Sequence, residues 1–151
     1  MDPAETARRC AESMYAADRA SRRLGIEISD VGPGCATATM AVREDMANGH
    51  GICHGGYVFT LADTAFAFAC NTYDERTVAA GADISFLEPV AVGDRLVARA
   101  TERARRGRSG LYDVTVSRAD GSPVAEFRGR SRSLGGPLLG PVAPGTAGET
   151  A

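Results

Sequence analysis

The chain has 151 residues, 44% of them hydrophobic, and a formal net charge of −2 from 17 basic and 19 acidic side chains. That length supports one domain with one substantial core, and the near-neutral balance argues against a dedicated nucleic-acid binder. No uncharged run reaches bilayer-spanning length, and Met1-Asp2-Pro3-Ala4-Glu5 lacks the basic-then-apolar layout of an export signal. The expected setting is therefore the cytoplasm, with no membrane partner. Cys10, Cys35, Cys53 and Cys70 are scattered without a CxxC pair and read as reduced thiols that fill space as small hydrophobes.

From Ala4 to Arg23, Ala7, Cys10, Ala11, Met14 and Ala17 recur at three- and four-residue steps, which predicts an N-terminal helix over residues 1–23. Leu24 to Val31 alternates loosely and stops at Gly32-Pro33-Gly34, a turn. Ala36 to Val42 alternates as a strand, so a hairpin is the economical join. The loop Asn48-Gly49-His50-Gly51-Ile52-Cys53-His54-Gly55-Gly56 follows, and Tyr57 to Asn71 is apolar almost all round, predicting a helix buried on most sides. Thr77–Leu87, Arg95–Arg103, Leu111–Arg118 and Val124–Ser133 read as strands joined by tight glycine-containing turns, a meander. From Gly135 to Ala151 glycine, proline, alanine and threonine dominate without periodicity, and this tail is expected to be disordered. The prediction is an α+β domain over residues 24–134, in which a curved antiparallel sheet of about six strands wraps one central helix.

Between Tyr57 and Thr72 the single charged residue is Asp63, surrounded by Phe59, Leu61, Ala62, Phe66 and Ala67. An unpaired carboxylate held out of water costs several kcal/mol, and aspartate is a poor mid-helix residue as well. The bland explanations are an arginine partner from a neighbouring strand, or a helix face that meets solvent. The functional one is a general base or nucleophile whose pKa is set by dry surroundings.

His54-Gly55-Gly56 stands at the head of that helix. Helix N-termini leave backbone N–H groups unpaired, and two glycines allow close approach, which suits a polarised carbonyl or oxyanion. Gly55 and Asp63 lie eight residues apart, about 12 Å along a helix. One carbonyl therefore cannot meet both in the same chain, which predicts a homodimer with two equivalent sites at its interface. His50, Cys53 and His54 spell H-x-x-C-H but offer too few ligands for a metal, and the adjacency of Cys53 and His54 makes a nucleophile pair awkward.

These segments resemble the PaaI-type hotdog thioesterases associated with phenylacetate degradation. The resemblance is carried by Asn48-Gly49-His50, Cys53-His54-Gly55-Gly56 and Leu61-Ala62-Asp63-Thr64-Ala65. It continues through Asp83-Ile84-Ser85-Phe86-Leu87-Glu88-Pro89, Gly110-Leu111-Tyr112-Asp113-Val114 and Phe127-Arg128-Gly129-Arg130-Ser131.

What it implies is a hotdog fold and hydrolysis of an acyl-CoA, with an aryl- or hydroxyphenylacetyl group by family analogy. Asp63 would be the catalytic carboxylate, and Gly55 the residue whose N–H polarises the thioester carbonyl. Asn48 would position water or thioester, and His54 would shape the loop. Gly56, Tyr57, Phe59 and Phe86 would meet substrate. The assembly would be a dimer of hotdog dimers, with no metal and no cofactor beyond the coenzyme A of the substrate. One departure stands out: relatives often carry a Ser or Thr hydroxyl early on the strand after the helix, where Val78-Ala79-Ala80-Gly81 has none. That favours the nucleophilic route.

Coenzyme A phosphates call for basic residues. Arg105, Arg106 and Arg108 crowd one turn, and Arg128, Arg130 and Arg132 alternate along the last strand, where a solvated hairpin and edge strand is the ordinary explanation. A hotdog hydratase would show a distinct Asp/His motif that is absent. The remaining alternative is a non-catalytic acyl-CoA-binding hotdog protein.

Overall fold

The computed structural model describes residues 1–140. The elements are α1 (Pro3–Ala17), α2 (Arg19–Arg23), β1 (Glu27–Gly32), β2 (Cys35–Ala41), α3 (Gly55–Cys70), β3 (Thr77–Phe86), β4 (Arg95–Arg106), β5 (Ser109–Arg118) and β6 (Pro123–Ser133). The expected N-terminal helix is two. Asp18 takes an extended conformation and caps α2, its carboxylate accepting from the Ser21 N–H at 2.9 Å. A short polar side chain that satisfies a free helix-start N–H competes with continuation of the preceding helix.

The six strands form one antiparallel sheet in the order β1-β2-β4-β5-β6-β3. The expected meander thus holds for β4, β5 and β6, and fails for β3. That strand pairs with β6, opposite Phe127 at Ile84 and opposite Arg128 at Asp83, so the chain passes the places of β6 and β5 before it forms β4. β6 is consequently an interior strand, and β1 and β3 are the edges. The β1–β2 hairpin forms as expected. Gly34 closes it at φ +73°, wedged against the Tyr73 hydroxyl and Glu102 where a side chain has no room.

Helix α3 packs across the inner face of the sheet, touching all six strands. Leu61, Ala62, Ala65, Phe66, Phe68 and Ala69 are buried against Ala38, Leu96, Ala98, Val114, Val116 and Phe127. Each large apolar side chain so buried contributes about 1.5–3 kcal/mol relative to exposure. Asn71 ends the helix and fixes β3 to it: its amide donates to the Ala67 and Thr77 carbonyls at 2.9 Å, and its oxygen accepts from the Thr77 N–H at 2.9 Å. Glu102 accepts from the hydroxyls of Tyr73 and Tyr112, both at 2.8 Å, and so ties the end of α3 to β4 and β5.

Cys10, Cys53 and Cys70 are buried and Cys35 is half-buried, all four as free thiols, and burial pushes the Cys70 thiol up to about 12. Alternation on β2 buries Ala36, Ala38 and Met40 as expected, and Thr37 between them is also only 3% exposed. Its hydroxyl finds no partner among the described residues. Thr37→Val, which keeps the shape and removes the orphaned hydroxyl, is expected to stabilise the fold by about 1 kcal/mol, read from the denaturation midpoint.

The glycine- and proline-rich tail begins at Gly135. Its first residues lie along the loop after α3: the Arg76 N–H donates to Gly136 O at 3.1 Å, and the Leu139 N–H to Asp74 Oδ1 at 2.8 Å. The remainder of the expected disordered segment, 141–151, lies outside the described residues.

Candidate active site

The loop before α3 is built by its own side chains. Asn48 Oδ1 accepts from the His50 N–H at 2.9 Å and from the Ile52 N–H at 3.4 Å, which uses one end of the amide for the turn, while its Nδ2 has no acceptor among the described residues. The Cys53 N–H donates to Val90 O at 2.8 Å, and the His54 N–H to Met46 O at 2.7 Å. This loop is therefore stitched to the segment that follows β3.

His54 is the N-cap of α3. Its Nδ1 accepts from the Gly56 N–H at 2.8 Å, and its carbonyl accepts from the Tyr57 N–H at 3.0 Å. Of the first three helical N–H groups, two are thereby occupied, and the Gly55 N–H has no acceptor among the described residues. It carries the positive end of the helix dipole.

A groove of about 350 Å³ opens at this point, lined by Asn48, Gly55, Val58, Phe86, Pro89 and Val90 among others. Phe86 is 56% exposed, and its ring lies so close that a Cβ placed on Gly55 would sit 3.0 Å from Phe86 Cζ. A Cβ on Gly56 would meet His54 Nδ1 at 2.9 Å and break the cap.

Asp63 stands two turns further along, half-buried. Burial raises its pKa above the ordinary 3.8 and is the only cause acting on it: among the described residues no arginine neutralises it and no hydrogen bond holds it. The arginine explanation is excluded within the chain. Asp63 does not line the groove at Gly55. It belongs instead to an incompletely covered stripe of α3, formed with Gly56, Thr60 and Ala67; Gly55, Tyr57 and Phe59 are half-buried as well, and the other residues of the helix are buried. The hydroxyls on that side are committed, Thr60 donating to Gly56 O at 2.8 Å and Thr64 to Thr60 O at 2.7 Å.

The structure thus brings Asn48, Gly55 and Phe86 together and places Asp63 elsewhere. Tyr57 sits edge-on to His54 with ring centroids 6.3 Å apart, and Phe59 packs on Phe127 at 5.4 Å, both off the groove. Phe66, on the same helix, is 1% exposed in the core. Val58, Leu87, Pro89 and Val90 were not expected at the groove. Only the break at Pro89 hinted that the chain turns there, and the pairing of Ile52 with Ala91 that brings it close is a long-range contact. Among the described residues no group of three or more His, Cys, Asp or Glu could hold a metal ion, and no helix is long and apolar enough to cross a membrane.

A curved sheet wrapped round one largely buried helix is the hotdog architecture. Residues 50–125 match the thioesterase superfamily model. The chain is 43% identical over 130 residues to the acyl-coenzyme A thioesterase PaaI of Escherichia coli K12, covering 86% of this chain and 93% of the relative. The solved E. coli PaaI protein from the phenylacetic acid degradation operon superposes with a TM-score of 0.88 at 41% identity, over 90% of this chain and 99% of that one. A variant of the phenylacetic acid degradation protein PaaI from Thermus thermophilus gives 0.75 at 36% identity, over 78% and 100%. The chain belongs to the PaaI-type thioesterase family.

Proposed function

We propose that the protein hydrolyses an acyl-CoA thioester at two equivalent sites in a homodimer, where Asp63 of one protomer faces Gly55 of the other. The observation that carries this reading is the separation of the two groups. The Gly55 N–H, without an acceptor among the described residues, lines a groove that Asp63 does not line, and Asp63 sits unpaired among those residues on an incompletely covered stripe of α3. A second copy over that stripe would complete both halves, and two such dimers would pack as a dimer of dimers.

In this site the thioester oxygen accepts from Gly55 N–H, and the helix dipole stabilises the charge that develops there. Asn48 Nδ2 donates to the thioester or to water. Asp63 then acts by one of two routes. As a base it takes a proton from water, whose oxygen adds to the carbonyl carbon before the carbon–sulfur bond breaks and the thiolate leaves. As a nucleophile it attacks that carbon itself, expelling the thiolate and forming a mixed anhydride that water opens. The second route is favoured because β3 lacks a hydroxyl at Val78–Gly81 and both Thr60 and Thr64 donate to backbone. Water and thioester suffice, with no cofactor, in a cytoplasmic setting.

The groove is apolar where Val58, Phe86 and Val90 line it, which suits an aryl group, and relatives named for phenylacetate degradation support an aryl- or hydroxyphenylacetyl substrate. Thiol release measured across aryl, short-chain and long-chain acyl-CoAs tests both statements. Fastest turnover of the aryl thioesters is expected, and binding without thiol release would leave a non-catalytic acyl-CoA-binding protein. Subunit mixing tests the shared site. Gly55→Val and Asp63→Asn, each inactive alone, should recover about a quarter of wild-type activity when unfolded together and refolded, because half the dimers then carry one intact site. No recovery would place both groups in one chain's site.

A further inference from the structure

Residues 87–94 join β3 to β4 outside either strand. Together with Phe86 this connector supplies half the lining of the groove at Gly55, through Phe86, Leu87, Glu88, Pro89 and Val90. Apolar burial does not explain why it stays there. Phe86, Leu87 and Val92 are exposed, and Val90 alone in the stretch is buried. A loop with so few buried apolar contacts is expected to open easily unless polar bonds hold it.

Those bonds converge on one side chain. The Cys53 N–H donates to Val90 O at 2.8 Å, and Asp94 Oδ2 closes the far end by accepting from the Ala91 N–H at 2.9 Å, with Gly93 between them at φ +95°. Arg118, the last residue of β5, then reaches across from another strand. Its Nε donates to Asp94 Oδ2 at 3.3 Å, and its Nη1 donates to Glu88 Oε2 at 2.9 Å and to Ser122 Oγ at 3.3 Å. Its Nη2 donates to the Pro89 carbonyl. The stem is anchored in turn, because the Arg118 N–H donates to Ser122 O at 2.9 Å in the β5–β6 turn. All three guanidinium nitrogens are therefore engaged, and they grip the connector at both ends. A guanidinium is planar with its donors in fixed relation, so meeting three acceptors on one loop sets where that loop lies as well as neutralising charge. Arg118 itself does not line the groove.

We propose that Arg118 is a positioning residue for the acyl group, holding the Phe86–Val90 wall against Gly55 without touching substrate. The inference deepens the acyl-CoA reading above and rests on it. Gly55 and Asp63 belong to α3, which the core fixes independently of this connector. A wall that drifts outward by about 1 Å forfeits a large part of its dispersion contact with an acyl group, while the groups that perform the chemistry stay in place. The loss then falls on binding of the acyl group and appears in KM, with kcat kept. Coenzyme A without an acyl group has nothing to lose at that wall.

The test compares wild type, Arg118→Gln and Arg118→Lys in three measurements. The first is calorimetric binding of coenzyme A and of phenacyl-coenzyme A, an aryl thioether that cannot be hydrolysed. Arg118→Gln should bind the thioether about 10-fold more weakly and coenzyme A within about twofold of wild type. The second is steady-state hydrolysis of an aryl thioester, where KM should rise about 10-fold with kcat within about threefold. The third is amide hydrogen exchange, which should quicken about 10-fold at Leu87, Glu88 and Cys53. Lysine keeps the charge but cannot span all three acceptors, so Arg118→Lys should show about a threefold loss for the thioether. It carries the test should the glutamine variant lack the wild-type circular dichroism. Wild-type affinity for the thioether in both variants, an equal loss for coenzyme A, or a fall in kcat at unchanged KM overturns the assignment. Wild type that binds the thioether no more tightly than coenzyme A defeats the aryl reading before any variant is made, and this proposal with it. Wild type that binds the thioether tightly yet releases thiol from no acyl-CoA defeats the hydrolytic reading instead, and the binding series still decides the role of Arg118.

Discussion

Asp63→Asn is expected to lower kcat/KM for the thioester by about 10²–10⁴-fold while leaving fold and assembly intact. Asparagine keeps the shape of the side chain but can neither take a proton from water nor form an acyl anhydride. Retention of more than about a tenth of wild-type turnover would remove Asp63 from the chemistry. The pH dependence gives a second readout. The carboxylate acts in its ionised form, and burial raises its pKa above 3.8, so the acidic limb of kcat/KM should lie above that ordinary value.

The same substitution should raise thermal stability at neutral pH. Folding with a raised aspartate pKa favours the protonated form, so the charged form burdens the folded state. That burden is absent below the unfolded value and grows as pH rises through the raised one. Asparagine never carries it. The variant's advantage in Tm should therefore be present at neutral pH and vanish in acid. Loss of activity together with gained stability distinguishes a catalytic carboxylate from a structural one.

Phe66→Ala should cost about 3–5 kcal/mol of stability, the largest loss expected from any single core truncation here. Phe66 is 1% exposed at the centre of the interface between helix and sheet. Its ring lies 5.6 Å from that of Tyr112 and 5.8 Å from that of Phe127, and its far side presses on the β6 backbone at Gly129. A Cβ there would sit 2.8 Å from three ring atoms, so Gly129→Ala should itself cost about 1–3 kcal/mol by overpacking. The two changes compete for one volume. Gly129→Ala should accordingly cost less in the Phe66→Ala background than in wild type, a coupling that urea denaturation of the four proteins measures. Additive losses would mean that ring and strand do not meet.

Much of the candidate site was legible because it breaks local rules. A lone Asp63 in a run otherwise fit for a core, and two glycines after a histidine at a helix head, conflict with propensity and burial, and such conflicts gather at functional positions. Strand boundaries came out within a few residues, since alternation is local. The position of β3 did not, because nothing in Thr77–Phe86 says that its partner lies some fifty residues on in β6. The mistaken view of β6 as an edge, and with it the ordinary explanation of its arginines, followed from that one missing pairing.

What the sequence by itself determined is the set of parts: one apolar helix with an isolated carboxylate, a capped glycine turn, six strands with their inward faces, and the resemblance they carry. Their periods of 3.6 and 2 are properties of neighbouring residues. The tertiary structure alone decided that Phe86 lies against Gly55, that Val58 and Val90 join the groove, that Asp63 has no partner among the described residues, and that Arg106, Arg130 and Arg132 meet on one face. Each of these depends on strand order and register, which are fixed by how whole elements bury one another and leave no trace in any short stretch of chain.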